Sequence, residues 1–254
     1  LPQLNEVVFS GIKKSKKKEL KKDTNLKKGA MVTDNLVVTS KNYFKKKFTD
    51  KGFLKTKVSI NTKKDTSDIN VVNMDVYIDK GSRIKIKDIT FKGNEKFSSR
   101  KLRKAMTNTK KKLFGRFWKS SKYIEDKYRE DLESILEAYS RQGYRDARIL
   151  SDQLVWNKDN TISLEIEVEE GKQYYFNDIN YVGNKSFTAN QLSRILGINK
   201  GDVYNGTVLK ERVHGDNTPS SQDLQTLYHN NGYLFAQVNA VETKVLNDSI
   251  TVEI

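Results

Sequence analysis

The sequence predicts an α+β chain made of three tandem copies of one β-α-α-β-β module, two helices covering one face of a three-stranded sheet. Three observations carry that reading. Val7-x-Phe9-x-Gly11 recurs as Ile89-x-Phe91-x-Gly93 and as Ile179-x-Tyr181-x-Gly183. A glycine–aromatic pair recurs in the same register at Gly52-Phe53, Gly143-Tyr144 and Gly232-Tyr233. Each copy also closes on a run with apolar residues at every second position. Self-similarity at one long period marks a repeat architecture, and it divides the chain into 1–80, 81–170 and 171–254.

Each copy opens on a strand. In the second copy Ile84 and Ile86 are followed by Ile89 and Phe91, and in the third Tyr174 and Phe176 by Ile179 and Tyr181. The apolar phase slips once in both, which is the mark of a β-bulge. A short helix follows. Thr188-x-x-Gln191 ahead of Leu192, Ile195 and Leu196 forms a capping box before an apolar stripe. The first copy places the lysine run Lys13–Lys22 there instead, so its short helix has no cap in the sequence.

The second helix is longer. Ile124, Tyr128, Leu132, Ile135, Leu136 and Tyr139 recur at helical spacing. The glycine after it has a mechanical explanation. With Gly143 left-handed, Tyr144 returns onto Tyr139, the contact that accompanies a Schellman ending. Phe48 with Phe53 and Tyr228 with Tyr233 repeat the arrangement. Two strands then complete the copy. The first is expected over Leu54–Ile60, Ala147–Trp156 and Leu234–Val241. The second alternates, with Ile162, Leu164, Ile166 and Val168 on one face and Glu165, Glu167 and Glu169 on the other, as in a sheet with one wet face. Asn157–Asn160 and Asn247–Ser249 read as the hairpin turns.

Composition removes several classes. The 254 residues contain no Cys, which excludes a disulfide framework, a zinc–thiolate site and a cysteine nucleophile. His214 and His229 are the only imidazoles. Neither stands beside a Ser/Asp partner or a metal-ligand spacing, and no Gly-rich phosphate loop occurs. No catalytic residue, metal site or cofactor is therefore expected. No run approaches the ~18 apolar residues of a membrane helix, and Leu1–Glu6 lacks the regions of a secretory leader. Gly81 and Gly171 close the first two copies, and the next such glycine would fall beyond Ile254. The chain thus reads as a piece of a longer array.

Charge is uneven. The first copy has 19 basic and 9 acidic residues, the second 21 and 15, the third 7 and 8, within a net +15. A nucleic-acid binder is the rival class. Against it, Lys far outnumbers Arg, with no Arg in the first copy, which favours solvated charge over bidentate phosphate or base recognition. Acidic partner proteins or anionic lipid surfaces suit the basic side better. One segment, Lys110–Lys119, sets Phe114, Phe117 and Trp118 among cations including Arg116. Phe117 and Trp118 either open the long helix into the core or anchor a partner or membrane surface.

The element order, Gly93-Asn94 and Gly183-Asn184 ending the first strand, the three glycine–aromatic pairs, and Leu196-Gly197 before Gly201-Asp202-Val203-Tyr204 together resemble the POTRA family. POTRA modules are the periplasmic repeats of the outer-membrane assembly factor BamA and its relatives. The resemblance covers nearly the whole chain and is weakest in the first copy. It implies a periplasmic array tethered to the outer membrane by a carboxy-terminal β-barrel lying outside this sequence. It also implies unfolded outer-membrane proteins and lipoprotein subunits as partners, and no nucleic acid. A sister transporter of the two-partner secretion type carries the same modules and stands as the alternative.

The resemblance further implies a sheet whose last strand is central and whose second strand is a free edge. A free edge presents unpaired N–H and C=O groups, and an extended segment can add to it with little dependence on sequence. The residues expected to receive such a strand are Lys55, Thr56, Lys57 and Val58 in the first copy, Arg148, Ile149 and Leu150 in the second, and Phe235, Ala236 and Gln237 in the third. The charged ones have a second reading, as gatekeepers that stop the array pairing with itself.

Overall fold

The computed structural model describes residues 1–64, 70–111, 121–215, 218 and 220–254. The first copy runs β1 (Gln3–Ser10), α1 (Lys14–Asp23), α2 (Asp34–Thr49), β2 (Lys57–Lys64) and β3 (Val71–Asp79). The second runs β4 (Lys85–Lys92), α3 (Ser99–Ala105), α4 (Glu125–Ser140), β5 (Arg148–Trp156) and β6 (Thr161–Glu169). The third runs β7 (Tyr175–Asn180), α5 (Ala189–Leu196), α6 (Gly206–His214), α7 (Leu224–Asn230), β8 (Val241–Leu246) and β9 (Ser249–Glu253). The sheet orders are β1-β3-β2, β4-β6-β5 and β7-β9-β8. The last strand of each copy is central, as the resemblance implied.

β1 lies parallel to β3, with its register shifting between Leu4 and Val7. β7 lies parallel to β9, shifting between Phe176 and Ile179. The phase slip read from the third copy is thus a real irregularity of the ladder. The alternating apolar residues face the cores. Met74, Val76 and Ile78 pack with Leu4, Phe9, Leu20, Phe44 and Phe48 in one cluster. Ile250 and Val252 pack with Phe176, Leu192, Leu196, Tyr204 and Leu224 in another. Ile162, Leu164, Ile166 and Val168 are likewise buried.

The long helices end as the sequence dictates. Tyr144 N–H donates to Tyr139 O at 3.1 Å, Gly143 N–H to Ser140 O at 3.0 Å, and Gly143 has φ +85°. The Tyr139 and Tyr144 rings meet edge-on, centroids 6.1 Å apart. Phe48–Phe53 and Tyr228–Tyr233 repeat this at 6.3 and 5.9 Å. The capping box of Thr188 and Gln191 is formed, and Asn160 and Asn247 take positive φ in their hairpins.

Two expectations are corrected. The third copy has an extra helix, α6, capped by Asn205 and burying Leu209 and Val213; its insertion holds structure that the two-helix pattern lacks. The strand expected over Leu234–Val241 begins only at Val241, so Phe235, Ala236 and Gln237 are not in a strand. β8 pairs antiparallel with β9 from Val241 opposite Glu253, where β9 ends. Residues 237–240 therefore have no ladder partner on β9. The Gln225 side chain takes that role instead: its amide nitrogen donates to Ala236 O, and its carbonyl accepts from Val238 N–H at 2.9 Å.

The described residues group into two compact units. One comprises Leu1–Asp88, Asn108–Arg129 and Trp156–Ser163. The other comprises Ile89–Thr107, Glu130–Val155 and Leu164–Ile254. In the first, Gly52 O accepts from Ile84 N–H at 3.0 Å; in the second, Gly143 O accepts from Tyr174 N–H at 2.9 Å. The glycine that stops a long helix thus also receives the strand of the following copy.

Candidate functional site

Each sheet has two margins, and the chain treats them differently. Along β1, β4 and β7 the segment before the second helix of the copy doubles back and pairs. Gln3 bridges Met31, Lys85 bridges Lys122 and Tyr175 bridges Val203, all antiparallel. Leu4 N–H donates to Ala30 O at 2.9 Å, Ile86 N–H to Ser121 O at 2.7 Å and Phe176 N–H to Asp202 O at 2.8 Å. Part of that margin is thereby closed by the module itself. β2, β5 and β8 lie at the opposite margin, each paired on one side only among the described residues. They are the edges an incoming strand could extend.

Those three edges differ in chemistry. β2 (KVSINTKK) carries Lys57, Lys63 and Lys64. Lys63 pairs with Asp75 at 2.8 Å, and that hydrogen bond raises the ammonium above its ordinary range. No large apolar side chain of β2 is exposed. Charged, lysine-rich edges discourage pairing. β8 has six residues and a register shift between Glu242 and Lys244. β5 has nine residues and exposes Leu150, Val155 and Trp156 by 52%, 39% and 47%. β8 exposes Val241, Val245 and Leu246 as well, but over a shorter strand with a shifted register; of the three, β5 offers the longest run with apolar side chains beside the free backbone.

The residues singled out from sequence fall into distinct places. Lys55 and Thr56 precede β2 rather than lie in it. Thr56 is buried, its hydroxyl donating to Phe53 O at 2.7 Å and Lys80 O at 3.3 Å, so it ties the turn. Lys55 places its ammonium 4.8 Å from the Trp156 ring centroid and donates to Asn160. Lys57 is exposed on β2, whereas Val58 belongs to the core. Arg148 is exposed on β5 and paired with Glu169, whose accepting carboxylate raises the guanidinium above its usual range. Ile149 is half-buried and Leu150 exposed. Phe235 is 97% exposed in the loop before β8. Phe114, Arg116, Phe117 and Trp118 lie outside the described residues.

Sequence reasoning missed the partly closed first margin. The signal was present: Gly29-Ala30-Met31-Val32 stands where Gly201-Asp202-Val203-Tyr204 stands, and both segments pair alike. Among the described residues no three His, Cys, Asp or Glu side chains gather as metal ligands. Among them, too, no helix is long and apolar enough to cross a membrane.

Sheets of this order, each with helices over one face and one open margin, define a tandem strand-edge module. The family model for POTRA, "Surface antigen variable number repeat", matches residues 2–81, 84–171 and 174–254. The chain belongs to the POTRA family. It is 27% identical over 191 residues to the outer membrane protein assembly factor BamA of Neisseria meningitidis serogroup B, covering 72% of this chain and 23% of that protein. It is 25% identical over 237 residues to a putative outer membrane protein assembly factor of Treponema pallidum, covering 89% and 26%. The chain thus spans about a quarter of the length of these relatives. Among solved structures, POTRA domains 3–5 of Haemophilus influenzae BamA share the fold, with a TM-score of 0.50 at 12% identity over 99% of this chain and 94% of that one.

Proposed function

We propose that the chain is the periplasmic scaffold of an outer-membrane protein assembly factor, organised as modules 1–80, 81–170 and 171–254. In this reading it belongs to a longer protein held at the outer membrane by a β-barrel. It receives unfolded outer-membrane proteins by strand addition and docks partner lipoproteins. Family membership and the names of the Neisseria and Treponema relatives support the setting. One structural observation carries the mechanism: β5 is a nine-residue edge strand with Leu150, Val155 and Trp156 exposed beside it. An unfolded barrel segment is itself an alternating strand. Backbone bonds of about 0.5–1.5 kcal/mol each would hold it reversibly and with little regard to sequence.

The test is an NMR titration of the isotope-labelled 254-residue chain with a peptide copying one barrel strand. Amide shifts should concentrate in β5 and leave β2 little changed. Leu150→Lys with Val155→Lys should weaken binding at least about 10-fold while leaving the spectrum folded. Shifts scattered over all three sheets, or binding indifferent to those substitutions, would reject β5 as the receptor.

A further inference from the structure

α1 is a helix that local rules do not favour. Its N-cap, Lys13, makes no side-chain capping bond, and its first turn contains no acidic residue. Six of its ten residues are lysine in the run KSKKKELKKD, and only Leu20 is buried. Like charges three and four residues apart repel across a helix surface. A sequence that serves the fold alone would relieve that repulsion with acidic side chains on the outer face.

The acidic residues are present, but they face the other way. Glu19 pairs with Lys16 and with Lys47 of α2, the latter at 3.5 Å. Asp23 pairs with Lys47 at 2.7 Å and accepts from Tyr43 at 2.8 Å. These contacts hold α1 against α2 and hold both carboxyls below their ordinary range. Lys14, Lys18 and Lys22, four residues apart, then form one ridge on the outer side of the helix, flanked by Lys21. All four are exposed, and among the described residues none is within ion-pair distance of a carboxylate. Lys27 and Lys28, just beyond the helix, are exposed as well.

We infer that this ridge is an electrostatic docking surface for the anionic phospholipid headgroups of a membrane. The choice of lipid follows from the chemistry. Hydrated lysine ammoniums on a convex helix, with no arginine in the first copy, suit a flat field of smeared charge. They do not supply the planar bidentate forks that recognise individual phosphates or carboxylates. The inference is independent of strand addition at β5, which uses another copy and another face of a module.

The test uses the 254-residue chain and vesicle co-sedimentation. One set of vesicles contains about 30% phosphatidylglycerol in phosphatidylcholine and the other is phosphatidylcholine alone. The chain should bind only the anionic vesicles, and binding should fade between about 50 and 500 mM salt as screening shortens. Changing Lys14, Lys18, Lys21 and Lys22 to Gln should weaken binding about 600-fold, at roughly five-fold per lysine. A variant of equal net charge, with Lys158, Lys172, Lys185 and Lys210 changed to Gln, should bind as the parent does. Equal losses in the two variants would reduce the effect to net charge and overturn the ridge. Equal binding to neutral vesicles would overturn the electrostatic basis. Tighter, ridge-dependent binding to duplex DNA at matched phosphate concentration would overturn lipid as the occupant.

Discussion

The Tyr139 hydroxyl donates to Glu170 Oε1 at 2.8 Å, and both side chains are buried. Glu170 also accepts from Phe97 N–H at 3.1 Å and Lys96 N–H at 2.8 Å. One carboxylate thereby joins the end of the long helix α4, the end of the central strand and the turn after β4. The Phe97 ring lies 4.2 Å from Tyr139 and 5.8 Å from Tyr144, which completes the cluster. A buried charge is tolerated here because three donors satisfy it.

Tyr139→Phe should therefore destabilise the chain by about 1–3 kcal/mol, the cost of removing one donor from a buried charged acceptor. Denaturant midpoints measure it. Burial, and then the Glu170 carboxylate, push the Tyr139 hydroxyl up, so the folded state holds its proton more tightly than the unfolded chain. The corresponding stability is intact below the unfolded tyrosine value of about 10 and falls as pH rises above it. The Phe variant should show a shallower alkaline decline.

Gly93 and Gly183 occupy equivalent positions with the same φ of +76°, yet their surroundings differ. A Cβ on Gly93 would lie 2.1 Å from Val168 O, whereas one on Gly183 would meet nothing within 4 Å. Gly183→Ala should cost about 1–2 kcal/mol, the left-handed backbone penalty alone. Gly93→Ala adds a clash with backbone and should cost about 3–5 kcal/mol. Thermal unfolding of the two variants side by side would expose the difference; equal losses would contradict it.

The aromatic staples should rank by burial. Phe48 is 6% exposed and Tyr233 46%. Phe48→Ala should cost about 3–5 kcal/mol as a core truncation. Tyr233→Ala should cost about 1 kcal/mol, because half of its ring is already in water. Urea titrations of both variants decide the order.

Arg145 reaches Glu242 at 2.6 Å, and Tyr204 donates to the same carboxylate. Arg145 also places its guanidinium 5.7 Å from the Tyr174 ring centroid. This group ties the loop after α4 to β8 of the following copy. A double-mutant cycle with Arg145→Met and Glu242→Gln should give a coupling of about 1 kcal/mol that shrinks in high salt. A coupling of zero would make the contact incidental.

Several features were legible because local physics decides them. A left-handed glycine after an apolar helix forces Tyr144 back onto Tyr139 wherever the helix packs. Thr188 and Gln191 cap α5 through bonds that span only four residues. Alternation in Ile162–Val168 fixes which face of β6 is dry. That the second strand of each copy lies at a sheet edge was legible as well, once the strand order was supplied by family resemblance, although its bounds in the first and third copies were not.

What the sequence determined by itself was the repeat, written in motifs that recur at one long period, and the element order and chemistry of each turn, because these depend on neighbours three to six residues away. Tertiary structure decided the rest. α1 forms despite its uncapped lysine run because Leu20 is carried into the core, and packing outweighs propensity. The Gln225 side chain takes the place of a strand at Ala236–Val238, a contact across more than ten residues that no local pattern encodes. Pairing of the segments around Ala30, Ser121 and Asp202 closes part of one margin of each sheet and leaves β2, β5 and β8 as the free ones. Which backbone groups find partners is settled only when distant segments meet.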